Sequence, residues 1–436
     1  NSSDPLTYKR VLSVTDSLNR VVTVSYADMS TVMYDQISYK GVGGAPRAIK
    51  IWHANLGQVL RPNSGYTIRT NRSLFPEFFD APETLYDPTE MVSAVELPDG
   101  RRYRFYYNPY GELARVELAT GGAFEYDYTP GSGVVEYSEI HRRVIERRVL
   151  PDGVNLAMKQ IYSATYTPPG SGPHFTTVIV EQRDAGASML ACGKHYFYGS
   201  PVASMYKLPT FYPSWKDARE YQSETLTPDG NAVLRRVVNT WQQRAPVSWW
   251  TGSADDAPPN DPRVVETVMT LADANLVSKQ TFAHDQYNNV IDAWEYDFGA
   301  GAPGPLIRRA HTSYLTTNGY QGNADYAADY NIHIRNLPIQ KLVYDASGDL
   351  RSHTDLIYDH YGAYPLVNRP GIVQHDGAFH AGYGARGNLT EVIYRNPDGS
   401  PSEIHLYNQY DVAGNLVKAV DGRGFPTDFD FSDSFG

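Results

Sequence analysis

One heptad constrains this chain more than anything else in it. Tyr410-Asp411-Val412-Ala413-Gly414-Asn415-Leu416 recurs as Tyr344-Asp345-Ala346-Ser347-Gly348-Asp349-Leu350. It recurs as Tyr107-Asn108-Pro109-Tyr110-Gly111-Glu112-Leu113, with Asn in the Asp place, and as Tyr383-Gly384-Ala385-Arg386-Gly387-Asn388-Leu389, with Gly there. Tyr358-Asp359-His360-Tyr361-Gly362 carries the first half. Two worn copies, at Asp16 and Asp285, put Asn19 and Asn288 where the others put Gly. Gly and Asn most readily accept positive φ, so the slot reads as a left-handed turn position. Asp before it can accept hydrogen bonds from backbone N–H groups further on. The unit is thus a strand ending in Tyr, a turn on Asp and Gly, and a new strand starting at Leu.

The flanks alternate with period two. Tyr103, Phe105 and Tyr107 share one face against Arg102 and Arg104. Ala114, Val116 and Leu118 oppose Arg115 and Glu117. Phe124, Tyr126 and Tyr128 oppose Glu125 and Asp127. Such alternation between turn signals marks half-buried antiparallel strands. Pro-Asp-Gly adds a second turn device at Pro98, Pro151, Pro228 and Pro397.

These motifs resemble the YD repeat of bacterial Rhs proteins, of the B/C components of Tc toxins and of animal teneurins. The clean matches cover residues 103–128 and 340–430, and worn ones reach back to about residue 14; 130–280 matches poorly. The resemblance implies a sheet that closes into a hollow shell around an enclosed polypeptide. In the Rhs and Tc branches an aspartyl autoproteolysis site and a variable toxin follow the shell; no matching segment is found here.

The expected fold is all-β: a curved, spiralling antiparallel sheet of hairpin repeats, shell-like or solenoid-like. The alternative is a β-propeller, which would space its repeats near 40–50 residues. Successive tyrosines at 344, 358, 383 and 410 lie 14, 25 and 27 residues apart. The 436 residues form one array, in which each unit packs mainly on its neighbours. Worn repeats occupy 1–60. An irregular insertion occupies 61–95, repeats with an exposed loop at 249–262 occupy 96–300, and the cleanest repeats occupy 301–436. Strands are expected around 11–14, 20–26 and 48–52, a short helix at 215–220 and a helical turn at 324–330. The chain reads as a piece of a longer protein.

Tyr is in excess, 34 against 15 Phe. An apolar ring with a polar tip suits a wide sheet without a thick apolar layer behind it. The net charge of −11 argues against a nucleic-acid scaffold, and no apolar run is long enough to span a bilayer. The single Cys192 forbids an intrachain disulfide and reads as a small buried thiol.

No chemistry converges. The His pairs 375/380 and 353/360 lack zinc-ligand spacing, and Asp428, Asp430 and Asp433 lack the pattern of a calcium loop. No cofactor or metal is expected. Asn71-Arg72-Ser73 and Asn388-Leu389-Thr390 have the form of glycosylation sequons. Trp241, Trp249 and Trp250 are a candidate glycan-stacking platform, against the plainer reading of sheet-edge packing.

The functional expectation is a non-catalytic segment of a shell or cell-surface scaffold, secreted or surface-bound, whose partner is an enclosed or adjoining polypeptide of the same longer protein. A glycan-binding adhesion module is the alternative, and a polysaccharide-active enzyme the least supported. The residues singled out are structural: Tyr107, Gly111, Leu113, Tyr344, Asp345, Gly348, Leu350, Tyr358, Asp359, Gly362, Tyr383, Gly387, Leu389, Tyr410, Asp411, Gly414 and Leu416.

Overall fold

A computed structural model describes residues 10–16, 19–28, 30–76, 81–129, 142–166, 175–199, 214–216, 218–245, 247–252, 257–369, 371–372, 375–396 and 401–431. The turns at Pro130, Pro168 and Pro397, and Asp433, lie outside them.

The chain forms one antiparallel sheet of 24 strands among the described residues, with a separate two-stranded ribbon, Thr317–Asn318 with Ala324–Asp325. From Ser13–Thr15 to Pro426–Asp428, every strand of the sheet pairs with the one before it and the one after it. Among the described residues extensive strand contacts run only between such neighbours, so none of these strands closes a barrel or stacks on another as a sandwich. A propeller would split the strands into four-stranded blades, and the unbroken ladder excludes it. Right-handed strand twist makes so wide a ribbon coil on itself. The whole chain exposes 25167 Å². A compact monomer of its mass would expose about 17,000 Å².

Register keeps the two faces chemically distinct. On one, Ile51, Val95 and Tyr103 stand opposite in turn, as do Phe105, Val116, Phe124, Val149 and Met158. On the other, Lys50, Glu96 and Arg102 line up, then Arg115, Glu125, Arg148 and Lys159. Burial works against the Arg148 charge. The carboxylates of Asp127, Glu146 and Glu125 nonetheless hold it protonated above the ordinary arginine range. Matched cross-strand charges contribute a few tenths of a kcal/mol each, roughly up to 1, and fix register.

In a meander, successive connections fall at alternate ends. The long ones, 55–90, 129–143, 199–219, 243–262, 315–337 and 359–388, all fall at the same end; the other carries tight turns. Several sequence expectations shift here. The early insertion runs 55–90 and holds the short helix Asn71–Leu74. Tyr34–Lys40 is a strand that alternation did not mark. In place of a helix at 215–220 there is a single 3-10 turn, Ser214–Lys216, before the strand Glu220–Leu226. Ala324–Asp325 is extended where a helical turn was expected, because it pairs with Thr317–Asn318. The poorly matching middle, 130–280, continues the same sheet.

Candidate functional site

The recurring unit has one geometry. At Asp411 the backbone N–H donates to the Asn415 carbonyl at 3.0 Å, and the Gly414 N–H donates back to the Asp411 carbonyl at 3.0 Å. Asp411 Oδ1 accepts the N–H groups of Ala413 and Asn415, both at 2.9 Å, and Gly414 sits at φ 84°. This is a type I turn closed by a left-handed residue, which forms a bulge at the start of the next strand. Asp345 with Gly348 and Asn108 with Gly111 repeat it. Asp285 repeats it with Asn288 at φ 71°. Across each turn the terminal Tyr faces the new Leu: Tyr107 opposite Leu113, Tyr344 opposite Leu350, Tyr410 opposite Leu416.

A copy invisible in the sequence lies at Asp184, where Ala187 holds the left-handed slot at φ 67° and Ser188 N–H donates to Asp184 Oδ1. An alanine there carries a steric cost of roughly 1–2 kcal/mol that glycine avoids. Ala187→Gly is therefore expected to raise stability by about 1 kcal/mol, measured by urea unfolding. A loss of stability would refute the shared geometry.

The tyrosines have a task that Phe cannot perform. Tyr107 donates its hydroxyl to the Val92 carbonyl at 2.7 Å, Tyr128 to Leu113 at 2.9 Å, Tyr314 to Val290 at 3.2 Å and Tyr410 to Leu389 at 3.2 Å. Each reaches across to the opening residues of the preceding strand, at the end that carries the long connections. Tyr410→Phe removes one of two donors to the Leu389 carbonyl, the Asn408 amide at 3.0 Å remaining, and is expected to cost about 0.5 kcal/mol, read as a shift of the urea midpoint.

Two motifs that look separate in the sequence are halves of one unit. Tyr358 pairs with Leu389, in the register of the other Tyr–Leu pairs. The Asp359 N–H donates to the Asn388 carbonyl at 2.8 Å, as Asp411 does to Asn415. Gly387, at φ 75°, fills the slot of Gly414. The residues between are an insertion. This corrects two readings. Gly362 is not the left-handed residue of a turn begun at Asp359, and Tyr383 ends no strand; it packs edge-on against Phe379 at 4.9 Å within the insertion.

Asp359 is wholly buried. Oδ2 accepts the backbone N–H of Arg386 at 2.9 Å and of Gly387 at 2.7 Å; Oδ1 accepts that of Asn388 at 2.8 Å. The hydroxyls of Tyr326, at 2.5 Å, and Tyr361, at 2.8 Å, complete the shell. Burial, then the bond to Asp359, pushes the Tyr326 hydroxyl far above its ordinary range. Leu315, Tyr326 and Tyr358 form the apolar cluster beside it, with Ile334, Leu337 and Leu389 packed on.

The long connections behave as straps. Four of them, 55–90, 243–262, 315–337 and 359–388, reach the turn two strands further on. From 55–90, Arg61 N–H donates to the Tyr107 carbonyl and Val59 accepts from Tyr107. From 243–262, Arg244 donates to the Gln286 carbonyl. From 315–337, Asn318 donates to the Tyr358 carbonyl at 3.0 Å. From 359–388, Val367 bonds to Tyr410 and Val412, and Arg369 Nη1 donates to Asp411 Oδ2 at 3.1 Å. Two open cavities, of about 400 and 310 Å³, lie where the last two straps meet the sheet.

The other candidates disperse. Trp241 donates to the Glu220 carbonyl beneath Arg219, while Trp249 and Trp250 pack edge-on to each other in the 243–262 connection. The second sequon is occupied structurally: Asn388 donates to Tyr361 and Thr390 is 3% exposed. Cys192 is buried, which pushes its thiol up. Asp428 pairs with Lys418. Among the described residues no three His, Cys, Asp or Glu side chains are grouped to hold a metal ion, and no helix is long and apolar enough to cross a membrane.

No family model and no curated protein matches this chain. Similar solved structures include the complexes TcdB2-TccC3-Cdc42, at 11% identity and TM-score 0.13, and TcdB2-TccC3, at 12% and 0.14. The Tc holotoxin pore of Photorhabdus luminescens is similar at 9% and 0.12. Each covers 92% of this chain, which spans 22–24% of theirs. Likeness at these scores carries no argument, and the fold rests on the strand pairing above.

Proposed function

We propose that this chain is a non-catalytic wall segment of a YD-repeat shell that encloses a polypeptide of the same longer protein, at a cell surface or after secretion. The observation that carries the reading is the single-layer meander, with no strand among the described residues packed across either face. The buried carboxylates of Asp359 and Asp411 and the hydroxyls of Tyr107, Tyr128 and Tyr410 hold turns and strand ends, which supports a structural role. The straps supply stiffness that a lone sheet lacks, since each ties a hairpin to the next.

The test is electron microscopy of the full-length product with protease protection of its other segments. A hollow particle whose contents resist cleavage until the sheet unfolds is the expected result; a solid particle, or contents cut at once, overturns the reading. The glycan alternative draws on Trp249, 68% exposed beside Trp250. A glycan array showing binding that Trp249→Ala abolishes would favour it.

A further inference from the structure

We propose that His405 is an acid-set clasp between the strands Leu389–Arg395 and Glu403–Tyr410, at the foot of the 359–388 strap. Its two ring nitrogens face two different carboxylates. Nδ1 lies 2.6 Å from Glu391 Oε1 and Nε2 lies 3.2 Å from Glu403 Oε2. A neutral imidazole carries one N–H and could donate to only one of them; the imidazolium donates to both. Glu391 is 7% exposed, in the strand that opens at the split turn, so its charge needs a partner.

His405 is the nearer of the two histidines that face Glu391, whose carboxylate also takes a hydrogen bond from the Tyr407 hydroxyl. On its own strand, Glu403 also takes Arg395, and Tyr407 stacks on the ring at 6.0 Å. From the strap, His360 stands 3.9 Å from Glu391, and Tyr364 packs against Tyr407. One strand further, Asp355 is shared by Arg395, His353 and Gln340. In the turn beyond, Asp421 pairs with Arg423. Glu391 first, against the ring's partial burial, and then Glu403 raise the His405 pKa.

A group raised in the folded state stabilises fully below its unfolded pKa and loses that contribution as pH rises through the folded one. The clasp therefore holds fully below the ordinary histidine value of about 6.5 and is lost as pH rises through the raised folded one. When it opens, Glu391 keeps a buried charge beside the anchor of the strap, and the wall softens where the split unit enters.

The test uses the full chain with histidine labelled at Cε1 and followed by NMR; the resonance lost in His405→Gln assigns the site. His405 is expected to titrate above about 6.5, the ordinary histidine value, and to move down in Glu391→Gln. The melting temperature is expected to fall from pH 6 to pH 8 in the native chain and less steeply in His405→Gln. A midpoint at or below 6.5, or one unmoved in Glu391→Gln, overturns the proposal. Should Glu391→Gln fail to fold, Glu403→Gln provides the same displacement in smaller measure.

Discussion

Asp359→Ala is expected to remove on the order of 5 kcal/mol of stability. The variant leaves the N–H groups of Gly387 and Asn388 without acceptors, together with the hydroxyls of Tyr326 and Tyr361, while the Arg386 N–H keeps only the Gly384 carbonyl. An unpaired buried donor costs about 1–3 kcal/mol. That loss is comparable with the whole stability of many domains. Asp359→Asn is nearly as harmful, because both carboxylate oxygens accept backbone N–H groups and an amide nitrogen cannot. The ordinary unit differs, since there one oxygen does the backbone work: Asn108 Oδ1 takes both Tyr110 and Glu112. Asp345→Asn should leave stability nearly unchanged, since it weakens only a solvent-screened pair with Arg351. Urea unfolding of the three variants, with hydrogen exchange over 315–395, reads the difference. Equal small effects at 359 and 345 would mean that Asp359 is no hub.

Gly387→Ala is expected to cost about 2–4 kcal/mol, and Gly414→Ala about 1–2. Both glycines have left-handed φ, 75° and 84°. A methyl group on Gly414 meets open space. One on Gly387 would lie 3.1 Å from Ile334 Cδ1 and 3.4 Å from Leu337 Cδ1, in the cluster where the 315–337 strap seats. The excess at 387 is thus overpacking added to the same backbone cost. Thermal unfolding of the two variants side by side decides it, and an equal loss at both would remove the strap from the neighbourhood of Gly387.

The turn chemistry was legible residue by residue. Asp or Asn five positions before a strand, with Gly or Asn three residues after it, dictates a left-handed turn wherever it stands, because φ preference and the Asp-to-backbone bond are local. Alternation gave the faces of 103–128 for the same reason. The middle was less legible because it departs from the heptad, and at Asp184 its turn uses a residue that carries no signal, Ala187. The straps were illegible because they contact turns two strands away, through backbone groups that every residue has and through single polar side chains, Arg244, Asn318 and Arg369, that no local pattern marks.

The amino-acid order alone settled that this chain makes hairpins, where many of them turn, and that tyrosine closes them. Only the folded molecule decided that the hairpins join in one unbroken ribbon and that Tyr358-Asp359 finds its other half at Gly387-Asn388-Leu389, 28 residues on. The reason is range. A turn is fixed by torsion angles within five residues, whereas rejoining a split unit needs Tyr326 and Tyr361, from two separate straps, to converge on one buried carboxylate.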